Sequence, residues 1–148
     1  MLHRDGLPLF EQINVKHITP AVNEVLKNNR LVIKKVESNK EDPNWQNFVY
    51  PLQKSNEKLS RVWSQINHLN SVVNNEELRL LYNKNLIKIT KYHSELSQNK
   101  LIYKKFIKIK SGSRYRELTA PQKKIISDEI LGFELGGVGL DDIKKLEF

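Results

Sequence analysis

The four histidines of this chain, His3, His17, His68 and His93, have the widest chemical range of its side chains, since imidazole binds metals and transfers protons. A zinc peptidase needs two histidines four residues apart on one helix face, with a glutamate beside the metal-bound water. No two histidines here have that spacing, and Glu95 lies two residues from His93, on a different helix face. The sequence therefore predicts no catalytic, cofactor-binding or metal-binding residue in this chain.

Two further segments contain residue types that bind anions. Arg114, Tyr115 and Arg116 are adjacent donors, but a solvated turn is the simpler interpretation. The segment Gly136-Gly137-Val138-Gly139 is rich in glycine, as phosphate-binding loops are. It lacks their Lys-Ser/Thr pair and follows a predicted helix instead of a strand, so we interpret it as a helix C-terminus.

The composition excludes several classes of protein. The 148 residues suffice for one ordinary domain, and the absence of cysteine excludes disulfides and thiolate chemistry. No apolar run approaches the length of a membrane span, so no membrane partner is expected. The first residues lack the apolar core of a signal peptide, which favours a cytoplasmic location.

The net charge of +8 raises the possibility of nucleic-acid binding. Of the 25 basic residues, six are arginine and 19 are lysine, whereas nucleic-acid sites favour the bidentate arginine fork. Lysine, asparagine and isoleucine share A+T-rich codons, so mutational bias explains their abundance. Solvated lysines on outer helix faces are therefore expected, and nucleic acid is an unlikely partner.

The spacing of apolar residues predicts an all-α fold of about five to seven helices with antiparallel packing. Each predicted helix begins at a capping residue or ends at a helix breaker. The expected spans are Thr19 to Ser38, Pro43 to about His68 with a kink or a new helix at Tyr50-Pro51, Asn74 to Leu96, Leu101 to Ser111-Gly112, and Thr119 to Gly136.

Burial on the predicted helices follows from the same spacing. Leu78, Leu81, Leu86, Ile89 and Leu96 form the expected inner stripe of the third helix, and Lys84, Lys88 and Lys91 its outer side. Lys100, Lys104, Lys105 and Lys108 are expected on the outer side of the fourth helix. The residues predicted to be buried are Trp45, Phe48, Trp63, Leu78, Leu81, Phe106 and Phe133.

One stretch resembles a known family. His68-Leu69-Asn70-Ser71-Val72, followed by Asn74, Glu77, Leu78 and Arg79, is similar to the N-terminal region of the thimet-type zinc metallopeptidases of the oligopeptidase A group. Further short matches occur in the family's order: Leu7-Pro8-Leu9-Phe10 with Ile13, His17 to Val22, Trp45 with Pro51-Leu52, Gln122-Lys123-Lys124, Phe133-Glu134-Leu135 and Gly137 to Leu140. The resemblance thus covers nearly the whole chain.

The resemblance implies a division into three parts. Residues 1–16 are expected to form an extended N-terminal segment anchored by Phe10 and Ile13, and residues 17–140 a helical domain. Residues 141–148 depart from the family's pattern, which continues with a proline and a long helix, and are expected to be a non-family tail.

The resemblance also implies a function. The family's zinc ligands and catalytic glutamate lie in its C-terminal half, and no position here matches them. The chain is therefore expected to be a non-catalytic helical fragment, inactive alone and prone to association through uncovered apolar surface. Zinc and short peptides belong to the full-length family, whose N-terminal helices wall a peptide channel. The missing catalytic part is a candidate partner.

A second hypothesis comes from a different class of protein. The chain is then an independent basic helical module that binds nucleic acid or an acidic protein. The DNA downstream of codon 148 discriminates between the two hypotheses. A reading frame that encodes His-Glu-x-x-His supports the peptidase fragment, and unrelated sequence supports the module.

Overall fold

The computed structural model describes residues 14–73 and 75–139, which form five α-helices and contain no strand. The all-α prediction is confirmed. The N-terminal segment with Phe10 and Ile13, the predicted cap Asn74 and the predicted tail 141–148 lie outside the described residues. The helices are α1 (Ile18–Ser38), α2 (Tyr50–Val72), α3 (Glu76–Ser97), α4 (Lys100–Ser111) and α5 (Ala120–Leu135).

Three short helical turns complete the described elements. A 3-10 turn, Val15–His17, precedes α1, and a π-helical turn, Trp45–Val49, precedes α2. A second 3-10 turn, Ser113–Glu117, lies between α4 and α5.

The described residues divide into two compact units. The first unit contains α1 as far as Val32, α2 from Leu52 and α3 as far as Lys91. The second unit contains the end of α1 from Ile33, the segment up to Pro51, and the chain from Tyr92 onward.

In the first unit, α2 and α3 form an antiparallel hairpin, as their short connection predicted. The Trp63 ring stacks on the Tyr82 ring with centroids 4.8 Å apart, and the Tyr82 hydroxyl donates to Asn67 Oδ1 over 3.0 Å. The apolar core of this unit contains Ile18, Val22, Val25, Leu26, Leu52, Leu59, Val62, Ile66, Leu78 and Ile89.

The start of α1 differs from the prediction. Asn14 caps the 3-10 turn through a 3.0 Å bond from the Lys16 amide to its Oδ1, and the turn runs directly into α1 at Ile18. Thr19 is therefore inside the helix, and its Oγ1 accepts a 2.9 Å bond from Asn85 Nδ2. The predicted cap was wrong because a side chain 66 residues away binds the threonine hydroxyl.

Burial agrees with the prediction for four of the seven residues named. Phe48, Leu78, Phe106 and Phe133 are buried. Trp45, Trp63 and Leu81 are only half-buried, and Leu86, which was expected on the inner stripe of α3, is exposed.

Aromatic rings form the centre of the second unit. The rings of Phe48 and Phe106 meet edge to face with centroids 4.8 Å apart, and the ring of Phe133 lies 5.9 Å from that of Phe106. Tyr103, one turn before Phe106 on α4, also lies 5.9 Å from Phe133 and donates from its hydroxyl to Glu134 Oε1 over 3.2 Å. These contacts join the π-helical turn, α4 and α5.

Polar side chains complete the helix ends of the second unit. Asn99 caps α4 by accepting from the Leu101 and Ile102 amides, each over 3.1 Å, and its amide nitrogen donates to Glu37. Lys105 donates to the backbone carbonyl oxygens of Val36 and Asn39, which satisfies acceptors at the end of α1. Lys105 was predicted to point into solvent, and that prediction was wrong.

The end of α5 is closed by a glycine pair. Gly137 has a φ of 80°, the left-handed conformation that favours glycine. The amide of Val138 donates to the Phe133 carbonyl and that of Gly137 to the Glu134 carbonyl, each over 3.2 Å. This is the Schellman pattern, and it confirms the interpretation of the segment as a helix C-terminus. Gly112, at the predicted end of the fourth helix, is extended, with a φ of −78° and a ψ of 156°.

Candidate binding cleft

A surface cleft of about 480 Å³ lies in the second unit, and we call it the Trp45 cleft. Three segments position it: the start of the π-helical turn, the end of α4, and the second 3-10 turn. Its lining residues are Asp42, Pro43, Asn44, Trp45, Lys108, Ile109, Gly112, Ser113, Arg114, Tyr115 and Leu118.

The first wall of the cleft is held by a reciprocal cap. The Asn47 amide donates to Asn44 Oδ1 over 2.9 Å, and the Asn44 amide donates to Asn47 Oδ1 over 2.8 Å. The sequence predicted a helix start at Pro43 with Asp42 as its cap. Asn44 is the cap instead, because the Asp42 carboxylate is paired with Lys108.

An ion pair between Asp42 and Lys108 joins the loop before Trp45 to α4 at the edge of the cleft. The hydrogen bond from Lys108, together with its charge, holds the pKa of the Asp42 carboxyl below its usual value of 3.8. Both side chains are largely exposed, so solvent screens the pair and its contribution to folding is small. Its main structural effect is to hold the loop before Trp45 beside α4.

The second 3-10 turn forms the opposite wall. Lys123, on α5, lies 5.6 Å above the centroid of the Tyr115 ring and donates to the Arg116 carbonyl over 3.3 Å. Arg114 and Tyr115, two of the three residues singled out as possible anion contacts, line the cleft, whereas Arg116 does not. Arg114 is an exposed residue.

The chemistry of the Trp45 cleft is suited to binding and not to covalent catalysis. It combines two aromatic rings, Trp45 and Tyr115, with the cation of Arg114. Lys108 is paired with Asp42, whereas Arg114 has no paired carboxylate among the lining residues described here. Ser113 has a hydroxyl that could act as a nucleophile, but none of those lining residues is a histidine that could act as its general base. Such a surface favours a flat or apolar group with a negative charge.

Sequence reasoning did not find this cleft. Its residues come from positions 42–45, 108–112 and 113–118, and no local spacing brings the first of these segments to the others. The adjacent residues Arg114 and Tyr115 were the one indication of a binding site in the sequence. They did not indicate that Trp45 or Asp42 lies beside them.

His3 lies outside the described residues, and the other three histidines belong to no metal-ligand cluster there. His17 and His68 are exposed residues of the first unit. His93 belongs to the second unit, where its ring meets the edge of Tyr92 with centroids 5.4 Å apart, and burial lowers its pKa. Within residues 14–73 and 75–139, no group of three or more His, Cys, Asp or Glu side chains could hold a metal ion.

Two asparagines in the first unit are buried with an unsatisfied atom. Asn85 donates from Nδ2 to Thr19 Oγ1 and to the Leu81 carbonyl oxygen, but its Oδ1 has no hydrogen-bond partner. Asn29 is 1% exposed, and its Nδ2 also has none. Each unpaired atom costs part of the hydrogen-bond energy that a paired polar group would contribute.

Comparison with known proteins identifies the family of this helical chain. Residues 22–145 match the sequence model of the neurolysin/thimet oligopeptidase N-terminal domain. The fold and this match define the chain as the helical N-terminal domain of a peptidase class. The chain belongs to the neurolysin/thimet oligopeptidase family.

Individual relatives give the extent of the similarity. Oligopeptidase A of Haemophilus influenzae is 35% identical over 150 residues, which covers 100% of this chain and 22% of that protein. Oligopeptidase A of Escherichia coli is 32% identical over 142 residues, or 96% of this chain and 21% of that protein. A probable cytosolic oligopeptidase A of Arabidopsis thaliana is 29% identical over 148 residues, again 21% of its length. The chain thus spans about a fifth of the length of these relatives.

The family implies zinc, and the described residues do not fit it. A catalytic zinc needs three protein ligands and an open position for water, and the described part of the chain has no such cluster. We therefore assign no catalytic step to these residues. None of the described helices combines the length and apolar character that a membrane span requires.

Proposed function

We propose that this chain is the non-catalytic N-terminal helical part of an oligopeptidase A-like zinc metallopeptidase that degrades short peptides. Its helices form part of the wall of the channel that admits the peptide. Zinc and the catalytic glutamate are supplied by residues other than those described here. The cytoplasm is the proposed location.

The observation that carries this proposal is the extent of the match. The similarity to oligopeptidase A of H. influenzae runs over the whole chain and takes up 22% of that protein. The absence of a metal-ligand cluster in residues 14–73 and 75–139 supports a structural role for these residues and not a catalytic one.

The experiment measures hydrolysis of a fluorogenic short peptide with added zinc. One sample contains the 148-residue chain, a second contains E. coli oligopeptidase A lacking the stretch that matches this chain, and a third contains both. We expect no turnover by the chain alone and more turnover in the mixture than with the shortened enzyme alone.

Two outcomes contradict the proposal. Chelator-sensitive turnover by the chain alone, with one zinc per chain by metal analysis, shows that it is catalytic. A mixture no more active than the shortened enzyme, although the chain is folded by circular dichroism, shows that it does not act as the missing wall.

Three of the described lysines weigh against the basic-module hypothesis. Lys88 donates to Asn23 Oδ1, Lys105 to two carbonyl oxygens, and Lys108 to Asp42, so these ammonium groups bind the chain itself. We expect weak, non-specific binding of labelled duplex and single strands at physiological salt. Sequence-selective binding with a dissociation constant tighter than about 10⁻⁸ M would overturn this expectation.

A further inference from the structure

The two tryptophan rings of this chain differ in their surroundings. Trp63 stacks on Tyr82 with ring centroids 4.8 Å apart. Trp45 is half-buried and lines the Trp45 cleft, and no aromatic ring within residues 14–73 and 75–139 pairs with it. Aromatic rings attract one another in stacked or edge-to-face pairs, so a planar group that enters the cleft can pair with Trp45.

The charges of the cleft favour an anion. Its charged lining residues are Asp42, Lys108 and Arg114, and Asp42 pairs with Lys108. Arg114 has no carboxylate partner among the residues that the structure describes. From Lys100 to Arg116 the sequence contains seven lysine or arginine residues and no Asp or Glu. The wall that α4 and the second 3-10 turn form therefore has a positive potential, which attracts anions.

Local hydrogen bonds hold both sides of the cleft in place. The Tyr115 amide donates to the Gly112 carbonyl over 3.2 Å, which closes the second 3-10 turn. The reciprocal cap of Asn44 and Asn47 fixes the backbone on either side of Trp45. Walls that are ordered before a ligand binds lose little conformational entropy on binding.

We propose that the Trp45 cleft binds a small carboxylate that carries an aromatic ring. The carboxylate pairs with the planar fork of Arg114, which matches its two oxygens, and the ring packs against Trp45. Ile109 and Leu118 supply apolar contact to the rest of the ligand. The cleft volume of about 480 Å³ lies within the range of roughly 300–1,000 Å³ for small-molecule sites. This site is independent of the peptidase assignment, since no step of peptide hydrolysis is assigned to its residues.

A carboxylate fits the charge of the cleft better than a phosphate does. Its single negative charge equals that of the one unpaired arginine among the lining residues described here. A phosphate group carries about two negative charges, and the next cation, Lys108, is already paired with Asp42. Two sources share the proposed chemistry: a free aromatic acid, and the C-terminal aromatic residue of a short peptide.

The first test is an NMR titration of the isotope-labelled 148-residue chain with hydrocinnamate, an aromatic carboxylate. The indole N–H signal of Trp45 should shift to saturation, whereas that of Trp63, in the first unit, should not move. We expect a dissociation constant of about 0.01–1 mM, since a ligand of few atoms in an open cleft binds weakly. The neutral hydrocinnamamide should bind more than about tenfold more weakly, because it lacks the charge-assisted pair.

The second test changes the cation. Arg114→Gln should weaken the binding of hydrocinnamate by more than about tenfold. Arg116→Gln removes the same charge from an exposed residue that does not line the cleft, so it is the matched control and should bind like wild type. Arg114→Lys keeps the charge but loses the planar fork, so its affinity should fall between the two.

The third test identifies the source of the carboxylate. N-acetyl-alanyl-phenylalanine is compared with hydrocinnamate in the same titration. Tighter binding of the peptide identifies a peptide C-terminus as the ligand, and weaker binding identifies a free aromatic acid.

Four results would overturn the proposal. One is a Trp45 signal that does not move although dispersed amide signals show a folded chain. The others are equal binding of the acid and its amide, equal binding by the Arg114→Gln and Arg116→Gln variants, and tighter binding of phenyl phosphate than of hydrocinnamate.

Discussion

The two units of this chain are stabilised in different ways. The first contains an aliphatic core with polar contacts between distant residues, such as Asn85 with Thr19 and Lys88 with Asn23. The second has three phenylalanine rings at its centre and helix ends closed by neighbouring residues, such as Thr119 with Gln122. Both units therefore depend on residues brought together by folding, as Lys105 with Val36 shows in the second, but the second unit also has helix ends that local sequence alone determines.

Each unit contains one of the two tryptophans, so the unfolding of each unit can be followed separately by fluorescence. Trp63 belongs to the first unit and Trp45 to the second. A Trp63→Phe variant reports unfolding of the second unit through Trp45 fluorescence, and a Trp45→Phe variant reports the first unit.

The largest effect is expected for Phe106→Ala, which removes the ring that contacts both Phe48 and Phe133. Phe106 is 1% exposed, so its truncation leaves a cavity and should lower the free energy of unfolding by about 3–5 kcal/mol. Urea titration followed by Trp45 fluorescence measures it. Leu131→Ala, at a 52% exposed position of α5, is the control, and an equal loss there would contradict the role of the aromatic centre.

A second prediction separates inner from flanking positions on α3 in the first unit. Leu78 is 1% exposed, so Leu78→Ala should lower the free energy of unfolding by about 2–5 kcal/mol. Leu81, predicted from the sequence to be core, is half-buried, and Leu81→Ala should cause about half that loss or less. Urea titration followed by Trp63 fluorescence tests the order, and a reversed order would show that the burial of α3 is misassigned.

The third prediction compares glycines of the second unit. Gly137→Ala should destabilise by about 1–2 kcal/mol, because its φ is positive. Gly136→Ala should also destabilise, since a Cβ there would lie 2.6 Å from Ser97 Cβ. Gly132→Ala is the matched control: a Cβ at that exposed helical position meets nothing within 4 Å, so a gain of about 0.5–1 kcal/mol is expected. Thermal unfolding of the three variants tests the signs, and a stabilising Gly137→Ala would exclude the Schellman geometry.

The smallest effect concerns pH. The pKa of Asp42 is lowered in the folded state, so the stability from its pair with Lys108 is present above 3.8 and is lost as the pH falls through the folded-state pKa. The Asp42→Asn variant should therefore be slightly less stable than wild type at neutral pH. The two should be equally stable once Asp42 is protonated in both the folded and the unfolded chain. Urea midpoints from pH 7 downward measure this, and a difference that persists at the lowest pH would assign the effect to something other than the ion pair.

His93 adds a second pH range over which the stability of the same unit should change. Burial lowers its folded-state pKa below 6.5, so the unfolded chain takes up this proton first. Stability should then decrease as the pH falls through about 6.5, and His93→Gln should remove that part of the decrease.

The sequence predicted most of what neighbouring residues decide. The helix start at the capping residue Thr119, the glycine C-terminus of α5 and the helix start at Tyr50-Pro51 are all present in the structure. Each depends on residues within a few positions of one another, so their types and spacing suffice.

Contacts between distant residues account for the errors. Thr19 has the type and position of a cap, but Asn85 binds its hydroxyl. Lys105 has the spacing of a solvent-facing residue, but the end of α1 offers it two carbonyl oxygens. The Trp45 cleft was missed for the same reason, since its two walls lie about 70 residues apart in the sequence. Helical spacing gives the direction of a side chain and not the identity of its partner.

The bond of Lys105 to the end of α1 also sets an order of events during synthesis. The lysine lies 69 residues after Val36 and 66 residues after Asn39, so these carbonyl groups are made long before their partner. At about 5–20 residues per second, several seconds of translation separate them. During that interval the last turn of α1 must use water as its donor. The nascent chain thus has a frayed end on its first helix until α4 has been synthesised.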